Sequence, residues 1–311
     1  MIISSYRQHI VLEASTELLE RIAHSDFLNK YIPSVSIAGL DSGSHDGTKL
    51  RIKASSCTSL QQSGEVYDLL YNPESTTTED VISVIDYIFD ALRQDAEIYC
   101  VHASAAQKNG RAVLLIGGAS GLGKTSVNLL LCRQFGFDFV GDEKVLVGKQ
   151  GKILGSVPLI PDHKREVILA AGHEDNETVS HIDLSKESVT AELIVQPVTA
   201  PSATLHMLRW GPQKAEWHLY EEMTRKIRGV SRRVNKFSYG LQSLDDPSKT
   251  QKRIENARKI ANSVECLTIW GDAELVAQEI ARQFDEQEPS THNRGLNILE
   301  TLPVKPKLID Y

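Results

Sequence analysis

The run Gly118-Ala119-Ser120-Gly121-Leu122-Gly123-Lys124-Thr125, followed by Ser126, constrains this chain more than any other part of it. It satisfies GxxxxGK[ST], a pattern with a mechanical meaning. The glycines let successive backbone N–H groups curl around phosphate oxygens at the start of a helix, whose dipole favours an anion there. Composition alone would produce such a match in about one chain in a hundred of this size, so the flanks decide. Residues 111–117 (RAVLLIG) read as an apolar strand entering the loop. Lys124–Phe135 reads as the helix leaving it, with Val127, Leu130, Leu131 and Phe135 inward and Gly136 as its cap. Lys124 is expected to reach the β- and γ-phosphate oxygens, and the Thr125 hydroxyl to ligate Mg²⁺. The cofactors expected are ATP, or another nucleoside triphosphate, and magnesium, held by residues 118–126.

Two further elements carry chemistry. Asp142-Glu143 ends the apolar run 137–141 (FDFVG), which is expected to lie beside the P-loop strand. Paired carboxylates at such a strand end suit metal binding and activation of a hydroxyl. Asp142 is assigned as base and Glu143 to the metal side, with the reverse fitting nearly as well, so that Thr125, Glu143 and Asp142 form the metal candidates. His102 lies near the end of an expected strand at 98–103. If a hairpin through Lys108-Asn109-Gly110 returns the chain to the P-loop strand, His102 comes to the phosphate end of the sheet.

The rest of the chain reads as α/β with a β-rich N-terminal module. Short strands are expected at 9–13, 34–38, 49–54 and 65–71, with a helix at Thr16–Ala23. Thr76 with Glu79 forms a capping box, and Val81, Ile85, Ile88, Phe89 and Leu92 share one face of the helix that follows. Beyond the acidic pair, a hairpin at 145–154 turns through Gln150-Gly151. Strands are expected at 193–196, 203–209 and 264–270, and helices at 217–228, from Asp246-Pro247 to Ser263, and at 274–284. The organisation expected is an N-terminal module at 1–95, a P-loop domain at 96–286 and a tail at 287–311. One dense basic run, 222–236, and the cluster His163-Lys164-Arg165 offer cations for a triphosphate or an acidic acceptor; a solvated helix face is the plainer reading of the run.

Together the residues resemble a known family. Histidine in HAS, then GRAVLLIGGASGLGKTS, then FGFDFVGDEKVLV is similar to the HPr kinase-related P-loop kinases, over about a fifth of the chain. The resemblance implies a P-loop kinase core of the HPr kinase/phosphoenolpyruvate carboxykinase type, a mixed sheet flanked by helices. It also implies catalytic roles for Lys124, Asp142 and His102. The chain departs from that family in carrying Asp142-Glu143 where paired aspartates are usual, and Thr125 where serine is usual. HPr itself is therefore not the acceptor expected. The expectation is a Mg-dependent kinase transferring the γ-phosphate of ATP to a hydroxyl, in a peptide or protein in preference to a small molecule. A small-molecule kinase and a P-loop ATPase or switch stay open as alternatives. No LSGGQ-like signature supports a transporter-type ATPase, and Asn235-Lys236 is followed by Phe237-Ser238, which breaks the NKxD pattern of small GTPases.

Bulk properties set the partners. A net charge of −7 gives no reason to expect nucleic acid or an anionic membrane. Four widely spaced cysteines (Cys57, Cys100, Cys132, Cys266) form no metal or disulfide framework, so reduced thiols and a cytoplasmic location are expected. Homo-oligomerisation is left open.

Overall fold

A computed structural model describes residues 1–39, 47–118, 121–158, 189–201, 203–227 and 241–286. The chain is a mixed α/β protein with two mixed sheets flanked by helices. The first sheet joins β1 (Ile2–Ser5), β2 (Gln8–Glu13), β3 (Val35–Ala38), β4 (Thr48–Ala54), β5 (Ser59–Ser63) and β6 (Val66–Tyr71) in the order β3-β1-β2-β4-β6-β5. Its apolar side is covered by α1 (Thr16–Ala23), α2 (Asp26–Tyr31) and α3 (Thr78–Asp95), with Ile3, Ile10, Leu12, Leu50, Leu69, Ile85 and Phe89 buried together. The capping box of α3 is built by Thr77 and Asp80, one residue later than the pattern Thr76/Glu79. Three threonines and two acids stand in a row there, and the pair that closes is the one whose carboxylate reaches back to the cap's N–H at 2.9 Å.

The second sheet carries the P-loop. β7 (Tyr99–Val101), β8 (Ala103–Lys108) and β9 (Arg111–Ile116) are followed by α4 (Lys124–Phe135), β10 (Asp138–Gly141), β11 (Val145–Val147), β12 (Lys152–Ser156) and β13 (Val189–Thr199). β14 (His206–Arg209), α5 (Pro212–Arg225), α6 (Pro247–Ser263), β15 (Glu265–Gly271) and α7 (Ala273–Glu286) complete it. The order is β10-β8-β9-β13-β12-β11-β7, with β15 parallel to β13 and β14 antiparallel to β15. The β8–β9 hairpin forms as expected: Lys108 pairs Arg111, and Asn109 and Gly110 both take positive φ (56° and 75°), the twist a two-residue hairpin needs.

Two expectations are corrected. The run 98–103 is not one strand, because it breaks at His102 into β7 and β8. And β10 does not lie beside the P-loop strand; β8 stands between them. The topology nevertheless delivers the acidic pair to the right place. β10 runs antiparallel to β8, and β8 antiparallel to β9, so β10 is parallel to the P-loop strand and ends at the same edge of the sheet. The start of β8, where His102 sits, is at that edge too. Since β7 and β11 lie at the far end of the strand order yet stand within a few residues of β8 and β10 in the chain, the sheet curls back on itself. His102 and 142–144 are the two short crossings that close the curl.

The remaining sequence expectations fall into place with shifted ends. β13 extends well beyond 193–196, β14 starts at His206, and α5 starts at Pro212 and ends at Arg225. Expected features at His163-Lys164-Arg165, in the later part of the basic run and in the tail after Glu286 lie outside the described residues. Among the described residues no helix is long and apolar enough to cross a membrane. The four cysteines are free thiols. Burial pushes the thiols of Cys132 and Cys266 up to about 12, so both stay protonated and inert at neutral pH.

Candidate functional site: a glycine-rich loop beside an acidic turn

The loop closes where β9 ends. Gly123, the residue before α4, has φ 91°, and a Cβ there would overlap the side chain of Thr199 at the end of β13. Only glycine allows that approach. Thr199 N–H also donates to the Leu122 carbonyl at 3.2 Å, so the C-terminal ends of two parallel strands, β9 and β13, hold the loop. Ala119 and Ser120 lie outside the described residues. Lys124 and Thr125 open the helix and are buried. The Lys124 ammonium folds back to the Gly117 carbonyl at 3.0 Å.

Thr125 Oγ1 donates to Asp142 Oδ2 at 3.0 Å, and Asp142 is 0% exposed. The loop hydroxyl and the first carboxylate of the acidic pair, 17 positions apart, therefore meet. A buried Asn128, one turn further along α4, fastens this contact from behind. Its Nδ2 donates to Ser104 Oγ at 2.6 Å, to Ala105 O at 3.2 Å and to Gly141 O at 3.4 Å, tying the helix to β8 and to the residue before Asp142. Asn128 and Ser104 escaped the sequence reading, since an isolated polar residue in a helix or strand gives no signal of its own.

Glu143 adopts φ 66°, and Lys144 N–H donates to the Asp142 carbonyl at 2.8 Å. A positive φ at the centre of a bond two residues long is a tight, strained turn, of the order of 1–3 kcal/mol for a non-glycine residue. The turn is clamped by Asp142 N–H to Val157 O and Val157 N–H to Lys144 O. The strain aims Glu143 away from Asp142. Its carboxylate Oε2 lies 3.2 Å from His102 Nδ1, and its own carbonyl lies 3.2 Å from the same nitrogen. A carbonyl can only accept, so Nδ1 carries a proton. The side chains of Glu143 and His102 are 26% and 17% exposed, in contrast to the sealed Asp142.

Lys144 turns the other way, into the first module. Its ammonium donates to Asp86 Oδ2 at 2.7 Å and to the Tyr31 carbonyl at 2.6 Å. Arg93 binds the same Asp86 at 3.2 Å and Asp90 at 2.7 Å, all with side chains at most 1% exposed. Burial would lower the Lys144 pKa, but the charge and hydrogen bond of Asp86, with Tyr31, outweigh it and hold the ammonium above its ordinary value.

On the loop's other side stands α5. Arg225 Nε is 3.3 Å from Glu222 Oε2, and Glu222 is 4% exposed. Desolvation raises the Glu222 carboxyl above its usual range, against the opposing pull of Arg225, His102 and Lys124. The basic run expected at 222–236 thus begins inside the site. Glu222 itself was legible only as the run's first letter, because its burial comes from packing against the loop.

The sequence-expected residues Gly118, Gly121, Gly123, Lys124, Thr125, Ser126, Asp142, Glu143 and His102 stand at one edge of one sheet. Among the described residues no group of three His, Cys, Asp or Glu side chains could hold a metal ion by itself. The donors present, one threonine hydroxyl and one buried carboxylate in contact, fit a magnesium ion, and the glycine loop with Lys124 fits phosphate. Clefts lined by Trp217, Tyr220 and Ile254, and by Phe135, Ala203 and Leu275, lie elsewhere and contain none of these side chains. No protein-family model matches the chain, and no curated protein matches it.

Proposed function

We propose that the chain is a magnesium-dependent phosphotransferase with a P-loop kinase core of the HPr kinase-related type. It would move the γ-phosphate of ATP to a hydroxyl, of serine or threonine in a peptide or protein ahead of a metabolite alcohol. The observation that carries the reading is the 3.0 Å contact between Thr125 and Asp142, with Lys124 in the adjoining position and the Glu143–His102 pair beside it. A hydrolytic switch needs the loop and a metal carboxylate. A second carboxylate, aimed outward and paired with an imidazole, suits removal of a proton from an acceptor.

In this reading Lys124 and the loop amides would neutralise phosphate charge, and Thr125 with Asp142 would hold Mg²⁺. Such an ion would offset the charge on the phosphate oxygens. Glu143 and His102 form the proton-accepting unit: the carboxylate fixes the Nδ1–H tautomer and the partly exposed faces of both groups meet the acceptor hydroxyl. This exchanges the roles expected from the sequence, where Asp142 was the base. A fully buried carboxylate bonded to the loop hydroxyl suits the metal, and the more accessible one suits the acceptor.

The test is γ-labelled ATP with Mg²⁺ and the full chain, offered small-molecule and macromolecular fractions of extract separately, with Lys124→Ala as control. Label entering peptide or protein, and lost in a folded Lys124→Ala chain, supports the reading. Label entering a small metabolite moves the acceptor class. Phosphate release at one rate with and without acceptors, or full activity in Lys124→Ala, defeats it.

A further inference from the structure

Arg225 is placed for more than a surface ion pair. A Cβ built on Gly118, the first residue of the phosphate loop, would overlap the Arg225 guanidinium and would stand 3.7 Å from Glu222 Oε1. The arginine and its glutamate therefore lie against the loop's first residue. The Lys124 ammonium reaches the same place from within, since it bonds the carbonyl of Gly117. Arg225 thus pairs, at the loop's first residue, with a carboxylate that is nearly excluded from water.

A buried carboxylate among cations, at the mouth of a loop shaped for phosphate, has the charge and the place of a phosphoryl group. We propose that Glu222 is an internal stand-in for the terminal phosphate, holding Arg225 over Gly118 until a triphosphate takes over the guanidinium, which then contacts the transferring group. The inference rests on the nucleotide-binding reading above and adds a residue pair to it. The chemistry suits the exchange. Guanidinium binds carboxylate and phosphate with the same planar fork, and a cation beside the transferring phosphoryl group stabilises the charge that builds there. The burial that raises the Glu222 carboxyl also makes its hold on Arg225 easy to replace with a more highly charged anion. A diphosphate, lacking the terminal group that Lys124 and Arg225 flank, would compete for the arginine less well.

The test is calorimetric titration of the full chain with MgATP and with MgADP, for wild type, Glu222→Gln, Glu222→Asp, Arg225→Gln and the double variant Glu222→Gln/Arg225→Gln. Removing the internal competitor should tighten ATP binding about tenfold, with ADP changed far less. Glu222→Asp should fall between wild type and Glu222→Gln, and it carries the comparison if the glutamine variant does not melt cooperatively. Arg225→Gln should weaken ATP about tenfold or more, and in that background Glu222→Gln should no longer tighten it. ATP affinity unchanged or weakened in a folded Glu222→Gln chain overturns the proposal, as does equal tightening of ADP. A wild-type chain that binds no ATP overturns the nucleotide reading and this proposal together. Wild-type binding with an indifferent Glu222 overturns this proposal alone.

Discussion

Lys144→Met cuts the link between the acidic turn and the first module while leaving most of the side chain's bulk. The lysine donates to Asp86 at 2.7 Å and to Tyr31 O at 2.6 Å, and stands 3.4 Å from the centre of the Tyr31 ring. Removing one partner of a buried ion pair costs about 3–5 kcal/mol. Asp86 keeps Arg93 at 3.2 Å, which argues for the lower end, about 3 kcal/mol. Against a total stability of roughly 5–15 kcal/mol that loss is large. Asp86→Asn should cost more, since it withdraws the counter-charge from both Lys144 and Arg93. The double change should cost less than the sum, with a coupling of about 2 kcal/mol. Urea denaturation of the four chains measures all three quantities. The pH dependence follows from the raised lysine pKa. The stabilisation is fully present below the unfolded value and is lost only as pH rises through the higher folded one. The gap between wild type and Lys144→Met should therefore be flat through neutral pH and close in strong alkali. Single-variant losses below about 1 kcal/mol, or strict additivity, would refute the reasoning.

Glu143→Gln should lower turnover by about 10²–10⁴-fold with ATP binding preserved, whereas Asp142→Asn should chiefly raise the magnesium concentration required; kinetics against Mg²⁺ separate the two. Glu143→Gly should abolish transfer too, yet match or exceed wild-type stability by up to about 1–2 kcal/mol, because it relieves the positive φ; a clear loss of stability would deny the strain. Asn128→Leu should cost about 2–3 kcal/mol, because Gly141 O and Ser104 Oγ lose a buried donor, and a melt shows it.

Local signals read well wherever one segment decides its own conformation. α4 begins and ends as the loop and Gly136 require, α6 begins at Pro247 behind its Asp246 cap, and the Asn109-Gly110 hairpin has the dihedrals its residues prefer. β1, β5 and α2 were missed because four to six residues give too little pattern to separate from turns. The placement of β8 between β9 and β10 could not be read, since strand order is set by pairing across distance and no residue in 137–141 encodes its neighbour. The same limit hid Lys144–Asp86, whose partners stand 58 positions apart. It hid the burial of Glu222 as well, which depends on where α5 lands against the loop.

The first module was the part whose purpose the sequence left blank, and the buried charges suggest why it is attached where it is. A strained turn persists only if its surroundings over-determine it. Here the turn at 142–144 is held on one side by Asn128 through Gly141, and on the other by Lys144 reaching Asp86 of α3 and the Tyr31 carbonyl. Ser34 adds a second tie: its N–H donates to the Ser156 carbonyl at 2.9 Å, and its hydroxyl accepts from Ser156 N–H at 3.2 Å, on the strand that precedes Val157. Ser5 in β1 accepts from Arg93 and donates to Pro33 O. Sheet one, α3, the residues at 31–34 and the acidic turn therefore form one connected polar path. If the module only covered a sheet edge, apolar contacts would suffice and the ions would add desolvation for no gain. A path of ions ending on the residue next to Glu143 fits a module that fixes the angle at which that carboxylate stands.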